Sequence, residues 1–279
     1  MRRVLMLVLY VLAGCVLVLW PLVRWMEPHV AFFPAAGERE TPQDFGVPFE
    51  AATIDTADGE RLHVWKMRAP APRANVLYFH GNGGNLSIWA PILTGIVKRG
   101  YSVVAFDYRG FGKSTGRPTE RGLYRDVDAI VTHAQPDRSE IPTIYWGRSL
   151  GATMAAYGAT VQPPDGMILE SGFVNARAAV RDSAILLLLS VFSSYRFPTA
   201  EFANRANQPV LVMHGNRDSV IPFARGRELF DALTVPKQFF VIEGGDHNDD
   251  VPRDADAYWS AVDRFSESLV KHSSGTTRD

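Results

Sequence analysis

The feature that most limits what this chain can fold into is the stretch Thr143-Ile144-Tyr145-Trp146-Gly147-Arg148-Ser149-Leu150-Gly151. Its opening residues are β-branched and aromatic, and they read as a short buried strand. The pattern G-x-S-x-G follows. A small-residue helix beginning at Ala152, with Ala155, Ala156, Gly158 and Ala159, comes next. In that order the elements put the serine on a sharp, strained turn between strand and helix. Such a turn brings its flanks very close, so Gly147 and Gly151 must lack side chains. The helix start offers unpaired N–H groups and a positive dipole end beside the serine oxygen. Three fixed positions in five are a weak signal alone. The strand before and the helix after give them weight.

A serine hydroxyl is a poor nucleophile without a base, and the base needs an acid to orient it. Two later strand ends supply both. Pro209 to His214 is an apolar strand whose exit loop, Gly215-Asn216-Arg217-Asp218, carries Asp218. Lys237 to Ile242 is the next strand, and its exit loop, Glu243-Gly244-Gly245-Asp246-His247, carries His247. Ser149, Asp218 and His247 thus stand at strand ends in the order Ser, Asp, His.

The rest of the chain fits a sheet that could hold those ends together. Residues 52–56 and 61–67 alternate around Asp58-Gly59, which predicts a hairpin; His63 reads there as one residue of a polar strand face. From Asn75 onward strands and helices alternate, which implies a mostly parallel sheet with helices on both faces. The predicted strands are 76–80, 102–107 and 166–170. The predicted helices are 86–99, 119–132, 223–233 and 254–270, the last with apolar spacing at Ala257, Trp259, Val262, Phe265 and Leu269. Residues 174–197 form a helical insertion containing Ile185-Leu186-Leu187-Leu188-Leu189, read either as a core helix or as a cap forming an acyl-binding wall. That run is too short to span a bilayer but could touch one. The expected organisation is an anchor at 1–25, a connecting segment at 26–50, an α/β domain at 51–271 and a disordered tail at 272–279.

The N-terminus adds a second constraint. After Met1-Arg2-Arg3, the twenty residues Val4 to Val23 carry no charge. As a helix they would cover the roughly 30 Å of a hydrocarbon core. Trp20 and Trp25 suit the interfacial belt, and the basic residues before the span place the following domain on the non-cytoplasmic side. Leu12-Ala13-Gly14-Cys15 supports an alternative, a lipoprotein signal with Cys15 as the lipidated residue, although the apolar run continues beyond it. Cys15 is the only cysteine, which rules out an intramolecular disulfide and a cysteine metal cluster. A formal net charge of −1, from 29 basic and 30 acidic residues, shows no basic stripe for nucleic acid.

Attack on a carbonyl needs two donors for the oxyanion. Leu150 N–H, next to the serine, is one. Asn82 N–H, in His80-Gly81-Asn82-Gly83-Gly84, is the expected second, with Gly83 as its rival. A phosphate-binding reading of that loop fails because no G-K-[ST] follows.

His80 to Asn85, Asp107-Tyr108-Arg109-Gly110-Phe111-Gly112-Lys113-Ser114 and Gly147 to Gly151 together resemble the alpha/beta-hydrolase superfamily. More narrowly they resemble its membrane-anchored serine hydrolases, often described as serine-aminopeptidase-like. The resemblance extends over roughly 50–270 and implies an alpha/beta-hydrolase fold. It gives Ser149 as nucleophile, Asp218 as acid, His247 as base and acyl hydrolysis as the chemistry. Many relatives carry a second glycine where this chain has Ala152, a matter of helix packing. The resemblance does not settle esters, thioesters, lysophospholipids or peptides; the expected substrate is a small acyl compound, lipid-derived in one reading, with an ester or thioester placed ahead of the peptidase alternative. The remaining alternative is a non-catalytic tethered binding module. No cofactor and no metal are expected, and oligomeric state stays open. His80 and His214 read as structural, Asp107 as a loop brace, and Asp246, Asp249 and Asp250 as solvated charges or a reserve acid.

Overall fold

In the computed structural model, residues 1–134, 141–249 and 254–274 are described. The chain opens with α1 (Arg2–Ala31) and β1 (Phe33–Pro34), then a 3-10 turn at Pro42–Phe45. The hairpin is β2 (Glu50–Asp55) and β3 (Arg61–Met67), paired antiparallel from Glu50↔Lys66 to Asp55↔Arg61. The alternating part follows as β4 (Ala74–Phe79), β5 (Gly83–Gly84), α2 (Leu86–Lys98), β6 (Tyr101–Phe106), α3 (Glu120–His133), β7 (Thr143–Arg148), α4 (Leu150–Val161) and β8 (Gly166–Glu170). After β8 come α5 (Ala176–Ala179), α6 (Ala184–Leu189) and α7 (Thr199–Ala206). The chain closes with β9 (Val210–Gly215), α8 (Phe223–Ala232), β10 (Lys237–Ile242) and α9 (Ala255–Ser274).

Eight strands form one sheet in the order β10-β9-β8-β7-β4-β6-β3-β2. Every pair from β10 to β6 is parallel, and only the β6-β3-β2 edge is antiparallel. β4, β7, β8 and β9 are buried along their whole length, which is why they read as apolar runs without alternation. One face packs on α3, α4 and α7 through Leu123, Val127, Met154, Ala155 and Ala203. The other packs on α2 and α9 through Leu93, Ile96, Val262 and Phe265. Short polar side chains cap the helices: Asn85 accepts Ser87 N–H at the start of α2, and Thr119 accepts Gly122 N–H at the start of α3.

Four local expectations change. The connecting segment is not irregular from residue 26, because α1 continues to Ala31 through Pro28. Glu27 and Phe32, on either side of that proline, are fastened to the protein, which holds the last turn in place. Downstream, β1 lies parallel to β5, with Phe33 beside Gly83 and Pro34 beside Gly84. The insertion is two short helices, α5 and α6, and the longer α7 was not anticipated. Its signal was present as Ala200, Ala203 and Ala206, too small a set of residues to mark an apolar face. His63 is buried rather than solvated: Glu38 folds across the hairpin and takes His63 Nε2 at 2.9 Å and Trp65 Nε1 at 3.2 Å. The last helix runs through Ser274, so the expected tail begins as helix. Residues 275–279 and Asp250 lie outside the described residues.

Candidate active site

Parallel strands all end at the same edge of the sheet, and the candidate residues collect there. Ser149 directly follows β7, Asp218 follows β9, His247 follows β10, and His80 to Gly84 follow β4. Ser149 has φ 56° and ψ −120°, a conformation that costs a non-glycine residue energy and lifts its side chain clear of strand and helix. The neighbours permit this only because they are glycines. A Cβ on Gly147 would stand 2.0 Å from the Gly151 carbonyl oxygen, and one on Gly151 would stand 1.9 Å from that of Phe79.

The three side chains form a hydrogen-bonded line. Ser149 Oγ is 3.1 Å from His247 Nε2, and His247 Nδ1 is 2.8 Å from Asp218 Oδ2. A carboxylate only accepts, so Nδ1 carries the ring proton and Nε2 is left to accept the serine O–H. Asp218 is itself held. Its Oδ1 accepts the N–H groups of Val220 at 3.0 Å and Ile221 at 2.7 Å. Its Oδ2 also lies 3.3 Å from His214 Nε2. Burial alone would push this carboxyl up. The hydrogen bonds from His214, His247 and Ile221 outweigh that and hold it well below the usual carboxylate range.

The two candidate oxyanion donors lie on the turn and on the loop after β4. Leu150 is the first residue of α4, so its N–H has no acceptor within the helix. Asn82 is fixed from both directions: its carbonyl accepts Phe33 N–H at 3.2 Å and its side-chain amide donates to the Ala31 carbonyl. The rival Gly83 uses its carbonyl to accept Trp89 Nε1 at 3.0 Å. The chain leaving α1 therefore acts as a strap across this loop, and Asn85 strengthens it by donating to the carbonyls of Ala35 and Gly37.

The other residues singled out in the sequence have structural partners. His80 is fully buried with Nδ1 2.7 Å from the Gly81 carbonyl, and burial lowers its pKa to about 4, so it stays neutral in place. Asp107 accepts Leu86 N–H at 2.9 Å, which makes it the brace at the start of α2; burial pushes it up to about 7. Asp246 does not face the His247 ring. Its Oδ1 takes the N–H and hydroxyl of Ser219 and the N–H of His247, each at 2.7 Å. Asp249 accepts Asp246 N–H at 2.8 Å. Both are loop braces, not free charges.

Two further residues contribute: His214, read from the sequence as structural, and Arg148, which the sequence reading passed over. His214 supports the acid, as described above. Arg148, the variable residue inside G-x-S-x-G, is buried and donates through one terminal nitrogen to the carbonyls of His247 at 2.7 Å and Asp249 at 2.8 Å. It ties the loop that carries His247 to the turn that carries Ser149. An arginine at the end of an otherwise apolar strand was the available signal, since a buried guanidinium must find acceptors.

A mostly parallel sheet with a serine on a strained strand-to-helix turn, and an acid and a histidine at later strand ends, defines an alpha/beta-hydrolase. This chain belongs to that superfamily. Its residues 70–208 match the family described as "Serine aminopeptidase, S33". The Saccharomyces cerevisiae "Uncharacterized membrane protein YNL320W" is 30% identical over 235 residues, 81% of this chain and 82% of that one. The "Lysophosphatidylserine lipase ABHD12" of Macaca fascicularis is 30% identical over 186 residues, 60% of this chain and 47% of that protein. The Pyrococcus furiosus esterase Pf2001 shares the fold at a TM-score of 0.65 and 19% identity, covering 86% of this chain and 97% of its own.

Proposed function

We propose that this protein is a membrane-tethered serine hydrolase that cleaves an acyl ester or thioester through an acyl-enzyme. The observation that carries the reading is the line from Asp218 through His247 to Ser149, closed at 2.8 and 3.1 Å at one edge of the sheet. Ser149 Oγ attacks the acyl carbonyl while His247 Nε2 takes its proton. Asp218 fixes the ring and stabilises the imidazolium. The N–H groups of Leu150 and Asn82 receive the oxyanion. His247 returns the proton to the leaving group, and water activated by the same nitrogen releases the acid. The names of the lipase and esterase relatives favour a small acyl substrate of lipid origin.

The tether is α1. Its segment Arg2–His29 is long and apolar enough to cross a membrane, and its most apolar window is not buried by the rest of the protein. Met1-Arg2-Arg3 then stays in the cytoplasm and the hydrolase domain faces the other side. The alternative tether is lipid on Cys15.

The test is intact mass after fluorophosphonate treatment of the detergent-solubilised full chain and its Ser149→Ala form. One adduct on the parent and none on the variant is the expected result. A folded parent that takes no adduct overturns the reading and brings forward the binding module. Release of N-terminal residues from peptides, with esters untouched, would instead establish the peptidase alternative.

A further inference from the structure

Ile185, Leu186, Leu188, Leu189 and Val191 stand exposed on α6 and just beyond it, with Ile185, Leu188 and Val191 at 72, 67 and 68%. Neither α5 nor α6 contributes a buried residue. α1 apart, the other exposed large apolar residues among those described do not form a comparable run in sequence. A contiguous aliphatic patch of this kind marks a contact surface. Beneath it is a cleft of about 450 Å3, lined by Leu187, Val174 and Ala178 with Arg177, Arg181 and Glu228. Ser149 is not among the residues lining that cleft.

The residues next to the patch tie it to α1. Glu27 is buried near the end of α1, and it accepts hydrogen bonds from the hydroxyl of Ser193 and from the N–H and hydroxyl of Ser194, the last two at 2.6 and 2.7 Å. Phe32 packs against Tyr195 and Phe197 with ring centroids 5.6 and 6.4 Å apart. The chain leaving α6 is therefore fastened to the foot of α1. Glu27 lies four residues beyond Val23, the end of the uncharged run, which is about 6 Å along a helix axis. Val191 lies two residues before Ser193, at most about 7 Å along the chain. A bilayer filled by Val4 to Val23 thus has its surface within reach of the patch, and interfacial segments bury apolar side chains to roughly 5–10 Å.

We infer that α6 and Val191 form a membrane-docking surface, and that its occupant is the bilayer that α1 crosses. The inference rests on α1 being a membrane span. It gives the insertion a role in the proposed reaction. A single-chain lipid substrate leaves the bilayer beside α6 and approaches the site without its acyl chain crossing water.

The test uses the full chain reconstituted in phosphatidylcholine vesicles carrying lipids spin-labelled on the acyl chain. An environment-sensitive fluorophore is placed on native Cys15. In a Cys15→Ser background it is placed instead on Leu188→Cys or on Glu267→Cys. Glu267 serves as the distant control, because its neighbours Phe265 and Leu269 pack on Gly166 at the start of β8, the opposite end of the sheet from Ser149. Quenching at 15 and 188 with none at 267 is the expected result. Quenching at 15 with 188 no more affected than 267 overturns the docking surface while leaving the span intact. No quenching at 15 removes the span and this inference with it. Neither failure bears on the catalytic line, which fluorophosphonate labelling reads separately. As a second readout, Leu188→Glu should lower turnover of a vesicle-embedded ester severalfold and leave a short soluble ester unchanged; equal loss on both would also overturn the proposal.

Discussion

The turn around Ser149 and the insertion between β8 and α7 leave the same edge of the sheet and are built on opposite principles. Around the turn Gly147, Arg148, Leu150 and Gly151 are buried, and the polar atoms of the catalytic line have fixed partners. The insertion is held by a few polar ties. Glu27 takes Ser193 and Ser194, Glu120 takes the N–H groups of Arg196 and Phe197 at 2.7 Å each, and Arg225 pairs with Asp182. Apart from those ties its two helices contain no fully buried residue, although Ala176 and Ala179 of α5 rest partly against the core. The proposed proton transfer along three side chains demands fixed distances. A segment with such low local burial has little to lose on moving.

That contrast can be broken by substitution. The largest effect is expected for Ser149→Ala, which should cut turnover of a soluble ester by about 10⁴–10⁶-fold with an unchanged melting temperature. Asp218→Asn should cost about 10⁴-fold in kcat, because the ring loses the partner that fixes its tautomer. The same variant tests the acid's stability role. A carboxyl held below its ordinary 3.8 contributes stability above that value and loses it as pH falls through the depressed folded value. The gap in melting temperature between parent and Asp218→Asn should therefore be widest near neutrality and narrow below about pH 4.

Gly151→Ala tests the turn's backbone. Its Cβ would overlap the Phe79 carbonyl oxygen, with no flexible side chain to move aside, so a loss of about 4 kcal/mol or more is expected in denaturant unfolding. Arg148→Met should lower kcat by about 10–100-fold with KM little changed, because the His247 loop loses two ties while the binding surface stays. The smallest effect belongs to the insertion. Leu188→Ser should move unfolding by no more than about 0.5 kcal/mol in detergent solution. A loss as large as that of Gly151→Ala would mean that the two regions share one cooperative core.

The legible parts of the site share a cause. Ser149, Asp218 and His247 each lie within five residues of the end of a strand of the sheet, buried throughout in β7 and β9 and half-buried in β10, and a strand's end is marked locally by apolar run and glycine. The hairpin at Asp58-Gly59 was equally local. What escaped depends on contacts across long sequence separations. β1 and β5 are two residues each, paired from residue 33 to 83, and such a ladder has no periodicity to read. His63 looked polar because its cover, Glu38, comes from a segment without regular structure. The run Ile185 to Leu189 could be core or cap, because five consecutive apolar residues give no face to tell burial from exposure.

The sequence by itself determined the chemistry on offer: which residue types stand at which strand ends, in which order, and that an uncharged run of membrane length precedes them. Period, glycine placement and strand composition are short-range properties, so they survive in one dimension. Only the tertiary structure decided the rest. It fastened the foot of α1 to both the loop bearing Asn82 and the chain leaving α6, passed Arg148 to the loop of His247, and left the α6 leucines exposed. Those outcomes depend on which distant groups find partners when the sheet closes, and no local pattern records that.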